Sequence, residues 1–353
     1  MRIAITGATG NVGTVLLERL SREDVDVVGI SRRRPPETPP YAGSRWQEMD
    51  IADSDAEERL VDVFAGVDAV VHAAIGFQPM RDRGYLRRTN VGGTAAVAGA
   101  AARAGVRRLV HMSSSGVYSP GSYGRPVDEN YSRTGITEST YSVDKAAAEF
   151  ALDEVEAQGD GPSIVRLRPG MVGQYNFGSA LLRYALPDLV PSWVVDRVPL
   201  LPMDRSIMLP AVASADVAEA IVAALTTTHA GAFNLSAPTP IRYTDFESAL
   251  DARAIPVPRA AMRAAAAFSF ATRLQSVHPG WVDLAYETPL LDTTRARTEL
   301  GWTATLDGPA VLADVVKGMR ERASGTSAPL RKRTAADRLG SLLHGTVSRR
   351  SQP

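Results

Sequence analysis

The stretch ITGATGNVG, residues 5–13, places three glycines between an apolar run and an amphipathic one. The residues Ile3–Thr6 are typical of a buried strand, because apolar side chains follow one another without a polar face. After the glycines, apolar residues recur at helical spacing, at Val12, Val15, Leu16 and Leu20. The pattern predicts a strand, a glycine-rich turn and a helix.

This turn is suited to a pyrophosphate group, because free backbone N–H groups and the positive end of the helix dipole would face it. Gly7 permits the tight turn, Gly10 lets the backbone approach the phosphates, and Gly13 lets the helix pack close to the strand. A strand–helix turn without a ligand is the alternative. The predicted dinucleotide contacts here are Gly7, Thr9, Gly10, Asn11, Val12 and Gly13.

Apolar runs and amphipathic stretches alternate along the first two thirds of the chain. This alternation predicts an α/β fold, a Rossmann-type doubly wound parallel sheet with helices on both faces. The predicted strands are Ile3–Thr6, Val25–Ile30, a short one around Trp46, Asp68–Ala74, Arg108–Ser113, Ser163–Arg168 and Ala232–Ser236. The predicted helices include Ala56–Phe64, Tyr85–Ala104, Thr140–Gln158, Ala213–Leu225 and Arg259–Phe270.

We expect the chain to divide into three parts. Residues 1–169, joined by residues 212–236, form the NAD(P)-binding Rossmann domain. A smaller C-terminal α/β substrate domain is discontinuous, at residues 170–211 and 237–324. Residues 325–353 are polar and basic, which predicts a disordered, solvated tail, with a tail that binds an anionic partner as the alternative.

Composition narrows the class of protein. The chain has 353 residues, a formal net charge of zero and no cysteine. Balanced charge argues against a nucleic-acid partner, and no apolar run approaches the length of a membrane span. The absence of cysteine excludes disulfides and thiolate nucleophiles, and the five histidines lack metal-ligand spacing. We therefore expect a cytoplasmic protein that acts on a small molecule and holds no metal.

The end of the second predicted strand bears on the choice of cofactor. An NAD-binding protein of this fold is expected to present an acid there, for the adenine-ribose 2′-OH. In this chain Ser31, Arg32 and Arg33 follow the strand instead. Guanidinium groups can clamp a 2′-phosphate, and no carboxylate would repel it. The sequence favours NADP over NAD, and a solvated arginine loop is the alternative.

The segment YSVDK carries the candidate reacting groups. Tyr141 and Lys145 lie four residues apart on a predicted helix and so share one face. A phenol has a pKa of about 10 and is a poor base at neutral pH. We expect the Lys145 ammonium, helped by the positive ring of an oxidised nicotinamide, to lower the pKa of Tyr141. An exposed tyrosine and lysine without a role is the alternative.

Six motifs then follow one another in a fixed order: TGATGNVG, VVHAAI, TNVGGT, MSSSGVY, YSVDK and LRPGMVG. In this order they resemble the extended short-chain dehydrogenases/reductases, also called the NAD-dependent epimerase/dehydratase family. The later stretches SADVAEAI and LLDTTRARTELGW agree, so that the resemblance covers roughly residues 1–320. It implies a Rossmann-type domain with a smaller substrate domain, and a homodimer formed through two helices.

The resemblance also assigns roles to further residues. It implies that Ser114, three residues before Val117, is the catalytic hydroxyl, with Ser115 as runner-up. Asp50 takes the position of an acid near the adenine, or else caps the following helix. The resemblance implies further cofactor contacts at Ile51, Ala73, Ala74, Asn90, Tyr141, Lys145 and Pro169, each with a packing alternative.

Departures from the family pattern narrow the range of activities that the resemblance implies. Dehydratases carry an Asp-Glu pair after the catalytic hydroxyl, whereas Ser115 and Gly116 stand here. Nucleotide-sugar enzymes place an asparagine where this chain has Met171, although Asn176 lies near enough to substitute. The apolar stretches PSWVVDRVPLLPM and AAMRAAAAFSFATRL could line a pocket for an apolar substrate, or form core or an oligomer contact.

These observations favour an NAD(P)-dependent oxidoreductase that transfers hydride between nicotinamide and a carbinol or carbonyl carbon. A nucleotide-sugar epimerase with the same three residues, Ser114, Tyr141 and Lys145, is the alternative. A dinucleotide-binding sensor without catalysis is the third hypothesis, against which the intact Ser114, Tyr141 and Lys145 argue.

Overall fold

Seven parallel strands form the central sheet of the computed structural model. The structure describes residues 1–77, 82–122, 124–185, 192–275 and 277–332. The sheet strands are β1 Arg2–Thr6, β2 Asp26–Ser31, β3 Arg45–Glu48, β4 Ala69–His72, β5 Arg108–Met112, β6 Ser163–Pro169 and β11 Gly231–Leu235. Across the sheet they lie in the order β11-β6-β5-β4-β1-β2-β3. The predicted doubly wound parallel sheet is confirmed.

Helices cover both faces of this sheet because its strands are apolar on both sides. Along β1, Ile3 and Ile5 point to one face and Ala4 to the other, as alternation along a strand requires. The first face packs against α1 Asn11–Leu20 and α7 Ser214–Thr226. The second packs against α2 Ala56–Phe64, α4 Gly93–Arg103 and α5 Thr140–Gln158.

One predicted helix is divided. The sequence predicts a single helix over Tyr85–Ala104, but the structure has α3 at Arg83–Arg87 and a π-helical turn at Arg88–Gly92 before α4. A Cβ on Gly93 would lie 2.7 Å from Cδ1 of Ile51, so that α4 begins in close contact with the loop after β3. The buried residues of the wider turn are the polar Thr89 and Asn90, so that apolar periodicity gives no sign of it.

The rest of the chain forms small sheets and helices beside the carboxyl ends of the central strands. Three two-stranded sheets pair β7 with β10, β8 with β13 and β9 with β12. Their strands are β7 Met171–Gly173, β8 Leu200–Met203, β9 Met208–Leu209, β10 Ala211–Ala213, β12 Ile241–Arg242 and β13 Arg253–Pro256. The helices are α6 Gly178–Ala185, α8 Tyr243–Leu250, α9 Arg259–Ala271, α10 Gly280–Glu287, α11 Thr294–Glu299 and α12 Gly308–Glu321.

The predicted tail from residue 325 is wrong in its first part. Ser327 and Leu330 are both 0% exposed, so that this part of the chain packs against the fold through these two side chains. Small polar residues around a single leucine gave no sequence signal for this contact. Residues 333–353 of the predicted tail lie outside the described residues.

Within the described ranges, no helix has the length and apolar character needed to cross a membrane.

Asn234 fixes the strand that returns to the sheet after α7. Its buried amide donates to the carbonyl oxygens of Val127 and Asp292, at 3.0 and 3.1 Å, and accepts a hydrogen bond from Tyr118 at 2.6 Å. Because three chain segments meet on this one side chain, it holds β11 in place beside β6.

We expect Asn234→Ala to lower the free energy of unfolding by about 2 kcal/mol, because it leaves buried polar groups without partners. Urea unfolding followed by tryptophan fluorescence measures the change. Asn130→Ala, at an exposed asparagine in the loop before α5, is the matched control and should leave stability unchanged. Equal stabilities for the two variants would contradict this role.

Candidate active site

A cavity of about 500 Å³ opens at the carboxyl ends of the central strands, where α/β sheets of this type bind ligands. The glycine-rich turn after β1 lines one part of it, and the start of α5 lines another. Of the predicted site residues, the lining includes Gly7, Thr9, Gly10, Asn11, Val12, Gly13, Ser31, Arg32, Asp50, Ile51, Ala73, Ala74, Ser114, Tyr141, Lys145 and Pro169. Arg33 and Asn90 are outside it.

The turn brings α1 into contact with the strand ends. Gly7 has a φ of +71°, and a Cβ there would lie 2.6 Å from the backbone of Ala73. A Cβ on Gly13 would lie 2.3 Å from the carbonyl oxygen of Gly7. Neither position can hold a side chain without moving the helix, so the first N–H groups of α1 lie at the cavity wall.

The turn fits the diphosphate that the family resemblance implies. The first N–H groups of a helix have no acceptor within that helix, and the first turn of α1 has no acidic side chain to neutralise its positive end. The amide oxygen of Asn11 is buried and has no hydrogen-bond partner among the described residues. The free N–H groups would face the diphosphate, whereas the Asn11 oxygen is an acceptor that a donor of the ligand, such as a hydroxyl group, would satisfy.

Beyond β2, a chain of hydrogen bonds holds Arg32 beside the cavity. The Arg32 guanidinium donates to the Tyr85 hydroxyl at 2.8 Å, and this hydroxyl donates to the Asp50 carboxylate at 2.6 Å. Burial and the hydrogen bond to Asp50 raise the pKa of Tyr85, so that it stays a hydroxyl. Sequence reasoning missed Tyr85, because the contact joins residues 35 positions apart.

Two residues predicted as cofactor contacts, Arg33 and Asn90, do not line the cavity. Arg33 is exposed, and its carbonyl oxygen accepts a hydrogen bond from the Ser31 hydroxyl at 2.7 Å. Asn90 lies in the π-helical turn and binds the backbone of Gly76 through both ends of its amide, at 2.7 and 3.1 Å. Asn90 therefore braces the loop after β4, which is the packing alternative that the sequence left open.

Ser114, Tyr141 and Lys145 come together on one side of the cavity. Ser139 caps α5, so that Tyr141 lies in the first turn of the helix and Lys145 one turn later. Burial raises the pKa of Tyr141, and its hydrogen bond with the Ser114 hydroxyl lowers it in part. In the ligand-free chain the lowered pKa expected from the sequence is therefore absent, because burial outweighs the hydrogen bond with Ser114.

Lys145 is itself buried, and its ammonium donates to the carbonyl oxygen of Met112 at 2.7 Å. Burial lowers the pKa of Lys145 to about 8, although the charge of Glu149 raises it. Glu149 lies one further turn along α5 and forms a bidentate ion pair with Arg168 of β6, at 2.9 and 2.5 Å. Ser113 also donates to this carboxylate, at 2.5 Å.

The wall beside Tyr141 is aromatic. Ring centroids of Tyr141 and Trp281 are 5.2 Å apart, those of Phe77 and Trp281 are 4.9 Å apart, and those of Phe77 and Tyr141 are 6.3 Å apart. Further apolar residues of the cavity lining are Met171, Phe177, Leu181, Leu209, Leu284 and Ala285, and the lining also includes the polar Ser113, Ser115 and Thr288. None of the described lining residues comes from the two apolar stretches that the sequence suggested, since α10 supplies this wall instead.

Histidines take no part in this wall. His72 is buried between the hydroxyls of Thr6 and Thr94, at 2.6 and 3.0 Å, and burial lowers its pKa to about 3. His111 packs against it, with ring centroids 5.2 Å apart. Among the residues that the structure describes, no cluster of histidine and carboxylate side chains could hold a metal ion.

The strand order, with a glycine-rich turn after the central strand β1, defines a Rossmann-type nucleotide-binding protein. The model of the NAD dependent epimerase/dehydratase family matches residues 3–236, and the chain belongs to this family. Relatives of the chain with named activities include two NAD(P)(+)-dependent dehydrogenases and a UDP-glucose 4-epimerase.

Curated relatives cover different parts of the chain. The L-arabinose 1-dehydrogenase (NAD(P)(+)) of Haloferax volcanii is 34% identical over 179 residues, which are 48% of this chain and 66% of that protein. A 4-hydroxy-2-methyl-3-oxo-4-farnesyl-3,4-dihydroquinoline-1-oxide ketoreductase of Stigmatella aurantiaca is 28% identical over 172 residues, 49% of this chain and 50% of that protein. An uncharacterized protein of Mycobacterium tuberculosis is 27% identical over 91% of this chain, which spans only 30% of that protein's length.

Solved structures share the fold over most of the chain. A UDP-glucose 4-epimerase of Stenotrophomonas maltophilia, with bound NAD and formylated UDP-arabinopyranose, has a TM-score of 0.69 and 21% identity. The alignment covers 91% of this chain and 98% of that one. At this identity the likeness shows the fold alone.

The buried ammonium predicts a pH-dependent stability. The pKa of Lys145 in the folded chain, about 8, lies below its ordinary value of 10.5, so that the unfolded chain binds more protons between these pH values. Stability contributed by this position therefore rises with pH over that range. Relative to Lys145→Met, we expect the wild type to gain about 3 kcal/mol between pH 7.5 and 10.5.

Urea unfolding of both ligand-free proteins over this pH range measures the difference. Lys317→Met, at an exposed lysine of α12, is the control and should show no such trend relative to the wild type. A stability difference between Lys145→Met and the wild type that is constant with pH would contradict the buried charge.

Proposed function

We propose that the protein is an NAD(P)-dependent oxidoreductase that interconverts a carbonyl and a carbinol on a small apolar substrate. The proposal rests on one observation: Ser114, Tyr141 and Lys145 line the same cavity as the glycine-rich turn. A diphosphate on the turn and a reacting group beside Tyr141 would thus share a single continuous space. This is the arrangement that hydride transfer with proton transfer requires.

When bound, the dinucleotide supplies or receives the hydride at its nicotinamide ring. The Ser114 hydroxyl donates a hydrogen bond to the substrate oxygen and holds it beside Tyr141. The Tyr141 hydroxyl gives its proton to this oxygen in reduction and takes it back in oxidation. Its raised pKa suits the reductive direction, because the phenol is then present as the acid. The Lys145 ammonium stabilises the phenolate that forms.

The aromatic and aliphatic wall around Tyr141 supports an apolar substrate. A diphosphate-linked sugar needs charged or amide donors to bind its phosphates and hydroxyls. Near the phenol, Phe77, Trp281 and Leu284 offer apolar contacts, and the indole N–H of Trp281 is the one donor among these three side chains. Met171, in place of the asparagine of nucleotide-sugar enzymes, also lines the cavity. The ketoreductase relative, whose name includes a farnesyl dihydroquinoline, is a precedent for such a substrate within the family.

A nucleotide-sugar epimerase is the alternative outcome. Such an enzyme retains its dinucleotide through purification and shows no net change in nicotinamide absorbance during turnover. A panel of apolar ketones, apolar secondary alcohols and UDP-sugars, read by nicotinamide absorbance and by product analysis, separates the two activities. Net oxidation of NAD(P)H by a ketone supports the oxidoreductase, and isomerised UDP-sugar without absorbance change overturns it.

Tyr141→Phe should lower kcat at least 100-fold with the substrate found in this panel, because the acid is lost. Dinucleotide affinity, measured by fluorescence titration, should stay within about twofold, because the turn is untouched. Tyr131→Phe, at a tyrosine whose hydroxyl binds the carbonyl oxygen of Pro120 outside the cavity, is the matched control and should retain full activity. Retained turnover in Tyr141→Phe would remove the assignment.

We further propose that NADP is the preferred cofactor. Arg32 lines the cavity near Asp50, and Tyr85 fixes the direction of its guanidinium. In this position a planar cation can pair with a 2′-phosphate through two parallel hydrogen bonds. The Asp50 carboxylate would weaken this pairing by repulsion, and its two oxygens are held in place by the Tyr85 hydroxyl and by the backbone N–H of Ala52 at 3.0 Å.

Arg32→Ala should raise the Kd for NADPH by 10- to 100-fold, which corresponds to about 1.5–3 kcal/mol for a charge-assisted hydrogen bond. The Kd for NADH should change less than about threefold, because NADH lacks the phosphate. Arg33→Ala is the matched control, since Arg33 neighbours Arg32 but does not line the cavity. An equal loss for both nucleotides, or a larger loss in Arg33→Ala, would overturn the NADP preference.

A further inference from the structure

The chain returns to the glycine-rich turn after its last described helix. α12 ends at Glu321, and Arg322 then has a φ of +54°, which reverses the chain. Residues 323–330, here called the C-terminal loop, run back to the first strand–helix turn of the protein. Within the loop, the N–H of Gly325 donates to the carbonyl of Leu330 at 3.0 Å, and the N–H of Leu330 donates to that of Ser327 at 3.0 Å. These bonds close the loop on itself.

One hydrogen bond joins the C-terminal loop to the glycine-rich turn. The Ser327 hydroxyl donates to the carbonyl oxygen of Thr9 at 2.8 Å, across 318 positions of sequence, and both groups are buried. Leu330 is also fully buried, and Pro329 lines the cavity together with Thr9. The loop is therefore part of the wall of the site, although the family match ends at residue 236.

The base of the loop is fixed to the substrate region. Ser179 of α6 donates its N–H to the carbonyl of Ala323 at 2.9 Å and its hydroxyl to the carbonyl of Arg322 at 2.8 Å. The N–H of Ala323 donates in turn to Gly318 of α12 at 2.9 Å. Because the C-terminal loop is held at its base and closed by its own hydrogen bonds, Ser327 presents a fixed donor to Thr9.

We propose that the C-terminal loop is a cofactor-binding element and that Ser327 positions the glycine-rich turn for the dinucleotide diphosphate. The inference rests on the proposed dinucleotide binding. The Thr9 carbonyl belongs to the peptide unit that leads into Gly10, a residue with wide conformational freedom. The N–H of the same peptide unit donates to the Gly7 carbonyl at 2.9 Å, so that Ser327 holds the opposite side of the peptide plane from which α1 begins at Asn11. Preorganised donors bind more tightly, because less freedom is lost on binding.

Ser327→Ala should raise the Kd for NADPH and NADH by about three- to tenfold, the range for one lost hydrogen bond. ADP, which carries the diphosphate without the nicotinamide, should lose affinity by the same factor. Ser236→Ala is the matched control: its buried hydroxyl donates to the carbonyl of Ala237 at 3.1 Å, and it does not line the cavity. Its Kd values should equal those of the wild type.

Hydrogen exchange of the ligand-free full-length protein separates positioning from general stability. In Ser327→Ala, amides of residues 7–13 should exchange faster while those of β5 and β6 keep their rates. If the alanine variant unfolds, Ser327→Cys, which keeps the size and weakens the donor, takes its place. Unchanged Kd values in a folded variant, or exchange raised equally throughout the chain, overturn the inference. A wild type that binds neither dinucleotide overturns the proposed function instead.

Discussion

The contact between the start of α1 and the ends of β1 and β4 is the constraint on which the site depends. Gly7 and Gly13 lie so close to their neighbours that an added Cβ would meet backbone atoms at 2.6 and 2.3 Å. Helix α1 therefore begins directly at the carboxyl edge of the sheet. Because β1 lies between β2 and β4, this is also the place where an open sheet leaves a crevice for a ligand.

A second set of contacts fixes the reacting side of the cavity. The ion pair of Glu149 with Arg168 is buried, and a buried pair of this kind contributes little net stability because both charges lose their water. Its geometry matters more: it ties the middle of α5 to β6, one turn after Lys145. Through the backbone of one helix, the pair thus sets the position of Lys145 and Tyr141 relative to Ser114.

Local patterns predicted the fold and most of the cavity. The strand–turn–helix at residues 3–20 and the four-residue spacing of Tyr141 and Lys145 can be read from neighbouring residues, since helices and strands have fixed periods. Tyr85 and Ser327 could not be found in this way. Tyr85 reaches the site through hydrogen bonds with Arg32 and Asp50, and Ser327 through one with Thr9. These partners are distant in sequence, and no spacing encodes such a pairing.

The apolar surface of the cavity and the raised pKa of Tyr141 have the same physical cause, the packing of aromatic rings around the phenol. Phe77 and Trp281 pack around the phenol and remove it from water, and the loss of hydration disfavours the phenolate. The same rings give the cavity its apolar surface. If the proposed function holds, an apolar substrate that displaces the remaining water would raise the pKa of the phenol further. Tyr141 would then stay protonated until the substrate oxygen gains negative charge. Substrate selection and proton donation would then both depend on the rings of Phe77, Trp281 and Tyr141.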